Sequence, residues 1–341
     1  MLKKFLFILL FFVLILAGTG LVGYAYYNSV GEKPLNTNEE IIEVNVEPND
    51  NFSRVLTRLD NEGLLRNLLL TRVYFRFNPI ETALKPGTFK INAQGSLHEI
   101  IQQLNEGEDI YEVTVTIPEG FTIERMGEAF EEKGLFSKEA FIQAVKNYIV
   151  PSWLENTDER HYVLEGYLAP ATYKFRKGQT PSFVVDTMYK AFVNRMYAVL
   201  KETGEDLPTS EWNELITIAS MIEREAASVE EMPRVASVIY NRLSRGDKLQ
   251  LDATVVYALG LNAKDKVTLE DLKVESPYNT YYVRALPIGP IASPGAAAIK
   301  AAINPEITEY LYYVLDPSIR QHYFTSDYNE FLQKKREFQG N

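Results

Sequence analysis

The residue in this chain best placed to do chemistry is a glutamate on an apolar helix face. Between Thr209 and Ala227 the chain carries N-cap candidates at Thr209 and Ser210 and good helix formers after them. The spacing predicts a helix of about five turns. At about 100° per residue, Trp212, Leu215, Ile216, Ala219, Ile222 and Ala226 gather on one stripe, the face that meets a core. Glu223 falls within that stripe, four residues beyond Ala219 and seven beyond Ile216, while Glu211, Glu214 and Glu225 are expected to project elsewhere. Apolar surroundings disfavour the charged carboxylate and raise its pKa, which suits a general acid. An ion pair with a buried arginine is the competing reading, and Arg242 on the following helix is an available partner. Glu225, two residues on, points away from Glu223, so any second carboxylate must come from elsewhere, such as Glu165 or Asp252.

The element after Glu223 is a second helix with Met232, Val235, Ala236, Ile239 and Leu243 at core spacing, Pro233 near its start and Gly246 just past its end. Three loop-like stretches follow, 249–257, 276–281 and 286–295, dense in proline, glycine, amide and tyrosine. Such segments line a sugar groove, with rings against pyranose faces and amides against hydroxyl and acetamido groups, or serve as rigid connectors.

At these residues the chain resembles the endolytic murein transglycosylases, the YceG-like or MltG family. The resemblance rests on several motifs in order: Leu164-Glu-Gly-Tyr-Leu-Ala-Pro-Ala-Thr-Tyr173, Ile218-Ala-Ser-Met-Ile-Glu-Arg-Glu225, Val235-Ala-Ser-Val-Ile-Tyr-Asn-Arg-Leu243, the stretches 249–260 and 276–281, and the Gly289-Pro-Ile-Ala-Ser-Pro-Gly295 loop. It implies Glu223 as the catalytic glutamate. It also implies cleavage of the MurNAc to GlcNAc bond within peptidoglycan glycan strands, with 1,6-anhydro ends, near cell-wall synthases. Glu165, Gln250, Asp252, Tyr278, Asn279, Thr280 and Tyr281 stand in the matching motifs and are expected in groove or support roles. The family usually has an acidic residue where this chain has Ala171 and a proline where it has Ala253, and the tail after His322 also differs. A hydrolytic muramidase and a non-catalytic peptidoglycan-binding anchor are the alternatives. No cofactor and no metal are called for.

The positioning elements fall into an ordered layout. Lys3 and Lys4 precede an uncharged stretch at 5–27 that is long enough to cross a bilayer. The positive-inside rule puts residues 1–4 in the cytoplasm and the remainder outside the cell membrane. A cleaved signal peptide is the alternative, but no clear small-x-small cleavage site follows. Gly18-Thr-Gly-Leu-Val-Gly23 matches a dinucleotide fingerprint, yet it lies within the span with no preceding strand. A polar tether is expected at 28–41, then a small LysM-like α+β unit at 42–117, closed by a strand through Tyr111, Val113, Val115 and Ile117. Ser96 and Glu99 predict a capping box, Thr122 and Ser137 predict N-caps, and 309–315 with 321–325 predict a hairpin. Residues 118–341 are then a mainly helical, lysozyme-like catalytic domain, so the fold class is α+β.

Composition narrows the function classes. Lys+Arg 35 against Asp+Glu 46 gives a net charge of −11 with no basic run, which argues against nucleic acid as a partner. Zero cysteines exclude disulfides, thiolate metal sites and cysteine nucleophiles. His98, His161 and His322 are too scattered to suggest a local metal motif.

Overall fold

The computed structural model describes residues 2–107, 111–154, 157–260 and 267–339, with the side chains of 2–8 and 339 left out. Met1, and the side chains of Lys3 and Lys4 on which the orientation rests, lie outside the described residues. The described chain is α+β, with 12 α-helices and three two-stranded sheets. It divides into two compact units, Met1–Glu112 and Val113–Asn341.

The first unit begins with α1 (Leu2–Glu32), whose segment Leu9–Glu32 has the length and apolarity to cross a membrane. The helix outlasts the expected span. Val30 is fully buried and Tyr27 packs on Tyr74 at 5.3 Å between ring centroids, so the stretch expected as a free tether is partly helix held by packing. Leu35 then bridges to Leu65. Strands β1 (Ile41–Val46) and β2 (Gly87–Asn92) pair antiparallel with Val44 opposite Phe89. Helices α2 (Phe52–Asn61), α3 (Leu68–Phe77) and α4 (Leu97–Glu106) complete the unit. The Ser96/Glu99 capping box is present, and Phe52, Val55, Ile91, Ile101 and Leu104 form the core.

In the second unit β3 (Glu112–Ile117) pairs with β4 (Ala171–Arg176). The strand expected to close the small unit therefore belongs to the sheet of the larger one, where Val115 and Ile117 are buried in the main core. Thr122 and Ser137 cap α5 (Ile123–Glu132) and α6 (Lys138–Lys146), as their positions predict. A long helix, α7 (Pro181–Thr203), starts at Thr180 and ends at the left-handed Gly204.

Helix α8 (Trp212–Glu225) carries Glu223. Thr209–Glu211 forms a 3-10 turn, so neither Thr209 nor Ser210 is the N-cap, and the first α-turn has no side-chain cap. The helix is buried well beyond one stripe: Thr217, Ile218, Ser220 and Met221 are also enclosed. Burial of the two hydroxyls is tolerated because each finds a carbonyl of its own helix, Thr217 on Asn213 at 2.7 Å and Ser220 on Thr217 at 2.7 Å. Helix α9 (Met232–Ser244) follows, then α10 (Asp252–Ala258), a helix where the sequence reads as loop. The buried side chains of Val255 and Tyr257 hold α10 to the core, and Asp252 sits in its first turn, where the helix dipole favours a carboxylate. Helix α11 (Ala296–Ile303) packs on α8, and the predicted hairpin forms as β5 (Tyr312–Asp316) and β6 (Gln321–Thr325) before α12 (Tyr328–Gln339).

Candidate active site

Glu223 lies in the last turn of α8, where the unpaired carbonyls give the helix end a partial negative charge that opposes ionisation of a carboxylate. Its neighbours come from two distant loops. The amide of Gly120 donates to the Ser293 carbonyl at 2.8 Å, and the amide of Ser293 donates to the Phe121 carbonyl at 2.9 Å. This two-bond clamp fastens the turn before α5 to the loop before α11. The Ser220 hydroxyl accepts the Ile291 amide at 3.1 Å, tying the same loop to α8.

Within this frame the Gly295 amide donates to Glu223 Oε2 at 2.9 Å. Gly120, at φ +75°, lies over both Glu223 and Arg224; a Cβ there would stand 3.7 Å from Glu223 Cγ. The left-handed backbone makes glycine the residue that turns here without strain. Gly295 has a different reason to be glycine. Its backbone is extended, but the carboxylate of Glu119 occupies the space a Cβ would fill. Burial raises the pKa of Glu223 and the nearby Glu119 charge raises it further, against the lowering pull of the Gly295 amide and Arg224. A carboxyl so placed holds its proton to higher pH than an exposed glutamate, as a general acid requires.

Arg242 is not the partner of Glu223. Its guanidinium donates to the carbonyls of Leu311 at 2.8 Å and Lys248 at 3.3 Å. Glu225 projects away from Glu223, as its spacing predicts, into a buried setting. Tyr313 donates to it at 2.9 Å, and burial, with Asp252 nearby, raises its pKa. It lines a cavity of about 510 Å3 together with Gln250, Asp252, Tyr281 and His322. Asp252 accepts the Tyr281 hydroxyl at 2.6 Å. Gln250 is held at φ +55°, a sparsely populated conformation for a residue with a side chain. A second cavity, of about 520 Å3, is lined by Gly120, Arg224 and Ala253 among others. Since Arg224 and Ala253 border one cavity and their chain neighbours Glu225 and Asp252 the other, the two adjoin at the first turn of α10.

The remaining motif residues are brought together as scaffold. Glu165 is 1% exposed, accepts the Ile123 amide at 3.2 Å and the Tyr257 hydroxyl at 3.1 Å, and so caps α5; burial pushes its pKa to about 8. Asn279 and Thr280 are fully enclosed. Asn279 donates to the carbonyls of Leu272 and Val274, and Thr280 accepts the Leu251 amide at 2.9 Å. Tyr278 packs between His161 and Tyr257. None of these four offers a surface to a glycan, so their role is to shape the segments that carry Gln250, Asp252 and Tyr281.

Glu119 and Arg224 are the neighbours that helix periodicity does not reveal. The signal for the first is Pro118-Glu-Gly120, a turn whose glycine needs a positive φ and whose glutamate is thereby carried off the end of β3.

The chain is similar to several known proteins. Two proteins of Streptococcus pneumoniae, from strains D39 and R6 and each named endolytic murein transglycosylase, are 29% identical to 95% of this chain. The chain spans only 63% of their length. A Bacillus subtilis protein of the same name is 30% identical over 92% of this chain and 89% of its own. The crystal structure of a YceG-like protein from Listeria monocytogenes, 29% identical, superposes with a TM-score of 0.56 over 87% of this chain and the whole of that one. The model of the YceG-like family matches residues 44–337, from the first strand of the small unit to the last helix, and the chain belongs to that family.

Proposed function

We propose that the chain is a membrane-anchored endolytic lytic transglycosylase of peptidoglycan, with Glu223 as its general acid and base. The observation that carries this reading is the setting of Glu223: a recessed carboxyl at a helix C-terminus, beside a second carboxylate, with one backbone amide donated to it. The names of the relatives from S. pneumoniae and B. subtilis support the same assignment. Glu223 protonates the glycosidic oxygen as the MurNAc C1–O bond breaks, leaving an oxocarbenium-like centre at C1. The resulting carboxylate takes the proton of the C6 hydroxyl of the same sugar while that oxygen bonds to C1, closing a 1,6-anhydro ring and restoring the acid. Because the nucleophile belongs to the substrate, the protein's task is to hold it in place. The Gly295 amide stabilises the transient carboxylate.

In this reading α1 is a single span with its N-terminus in the cytoplasm, and the lysozyme-like second unit works outside the membrane. The small LysM-like unit contacts glycan, and cell-wall synthases are the natural neighbours. A hydrolytic muramidase is the second reading, favoured by one observation: Glu225 and Asp252 are two carboxyl groups on the wall of one cavity.

Mass spectrometry of glycan strands incubated with the full chain in detergent separates the two. Products one water lighter than hydrolytic ends are expected from the unmutated protein, with a loss of about 10³-fold in rate for Glu223→Gln. Full reducing ends would establish the hydrolase. Intact strands with retained binding would reduce the protein to an anchor.

A further inference from the structure

The cavity beside Glu223 has a charge pattern that glycan alone does not explain. Among the described residues its wall carries five charged side chains: Arg125, Arg224, Lys138, Glu124 and Glu128. The Lys138 ammonium lies 2.7 Å from Glu124 and 2.9 Å from Glu128, so one cation serves two carboxylates. Arg125 and Arg224 have no carboxylate within ion-pairing distance among the described residues. Arg125 rests on the Phe121 ring at 4.2 Å, and Arg224 reaches only the Gly120 carbonyl, at 3.5 Å. Burial lowers the pKa of Arg224 and the Arg125 charge lowers it further, against the raising pull of Glu225 and Glu223. Among the described residues the count is three cations against two carboxylates, and Lys138 serves both carboxylates, with Val256 and Ile291 as apolar wall.

We propose that this cavity binds the acidic peptide stem carried by MurNAc, with Arg125 and Arg224 pairing with its carboxylates and Glu124 and Glu128 receiving the amine of its diamino acid. The assignment rests on the transglycosylase reading for its substrate. Geometry supplies the reason. The stem hangs from the lactyl ether on C3 of the sugar whose C1 is attacked, two carbons from the broken bond. A MurNAc held with C1 at Glu223 therefore sends its stem into whatever adjoins that residue, and Gly120 and Arg224 border both. Guanidinium forks match carboxylates in a bidentate manner that hydroxyls do not reward. A peptide bearing both carboxylates and an amine fits a wall of mixed sign better than a polyanion, which the glutamates would repel.

The test is a binding ratio that does not depend on turnover. The full chain carrying Glu223→Gln, in detergent, is titrated with fluorescent glycan strands that retain their stems and with the same strands stripped by an amidase. At low salt the stem-bearing strands are expected to bind at least tenfold tighter. Adding Arg125→Ala is expected to bring that ratio below threefold, and Arg125→Lys to leave it intermediate. Arg125 is exposed, so these variants keep the fold, as a thermal scan checks. A ratio near one, or one unmoved by Arg125→Ala, overturns the proposal. N-acetyl-L-Ala-γ-D-Glu-L-Lys-D-Ala is expected to compete with the stem-bearing strands, and tighter binding of inorganic pyrophosphate than of this peptide would likewise overturn it. The two readings fail separately. Cleavage of both strand types with equal affinity removes the stem site and leaves the transglycosylase, whereas peptide binding without any glycan cleavage does the reverse.

Discussion

Glu119 and Glu223 meet at one glycine: the carboxylate of the first fills the space beside the Gly295 Cα, and the amide of that residue donates to the second at 2.9 Å. The charge of Glu119 opposes ionisation of Glu223, and only Glu223 lies on the helix that periodicity identifies.

Removing the charge of Glu119 lowers the pKa of Glu223, because the repulsion that favours the protonated acid is lost. The rate of a reaction that needs the protonated acid falls as pH rises through that pKa. Glu119→Gln is therefore expected to move the alkaline limb of the pH–kcat profile to lower pH. An unmoved limb would show that the two carboxyl groups are not coupled.

Gly295→Ala reaches the same coupling from the other side. The new methyl meets the far end of the Glu119 side chain, which swings away at little cost because Glu119 is exposed. Stability is expected to change by less than about 1 kcal/mol, while the pH limb shifts in the same direction as for Glu119→Gln. The double variant is expected to shift no further than either single one, since both remove one interaction.

Glu165 makes a prediction about stability. Its pKa is about 8 in the folded chain against 4.5 for a free glutamate, so between those values the folded state holds a proton that the unfolded state has released. Stability then falls as pH rises from about 4.5 to about 8, by a few kcal/mol in the limit of full burial. Glu165→Gln is expected to flatten this decline in urea titrations of the full chain in detergent, followed by the fluorescence of Trp153 and Trp212, which pack together at 5.5 Å. An equally steep decline in the variant would assign it to another group, and Glu225 is the next to test.

Asp252 holds the Tyr281 hydroxyl at 2.6 Å on the rim of its cavity. In the transglycosylase reading it orients a ring and moves no proton. Asp252→Asn, which still accepts that hydrogen bond, is expected to cost less than about tenfold in kcat/KM, or about 1.4 kcal/mol, with anhydro ends unchanged in mass spectra. A loss as deep as that of Glu223→Gln would favour the hydrolytic reading.

Local signals in the sequence translated directly into structure. Ser96 with Glu99, Thr122, Ser137 and the two strands around the Asp316-Pro-Ser turn each depend on neighbours a few residues away, and each forms where its pattern places it. The recessed position of Glu223 on α8 was legible for the same reason, being visible in the phase of one helix. What escaped depends on partners far along the chain. The pairing of β3 with β4 cannot be read from alternation, which marks a strand without naming its neighbour. Glu119 reaches Glu223 only through the clamp at Ser293. Motif matching has its own blind spot. Tyr278, Asn279 and Thr280 stand in a matching segment beside Tyr281, yet three are enclosed and one reaches a cavity, because a motif records the scaffold together with the contact.

The setting of Glu223 is also a matter of timing. Its carboxylate and the Gly295 amide that receives it are 72 residues apart, and Gly120 lies 104 residues before Arg224. Closing loops of that length is among the slower events in folding. Synthesis delivers these segments in the order 120, 223, 295, so no nascent chain shorter than Gly295 can hold the acid in its final environment. In the transglycosylase reading, the chain would in this way stay inert until its folding is nearly done.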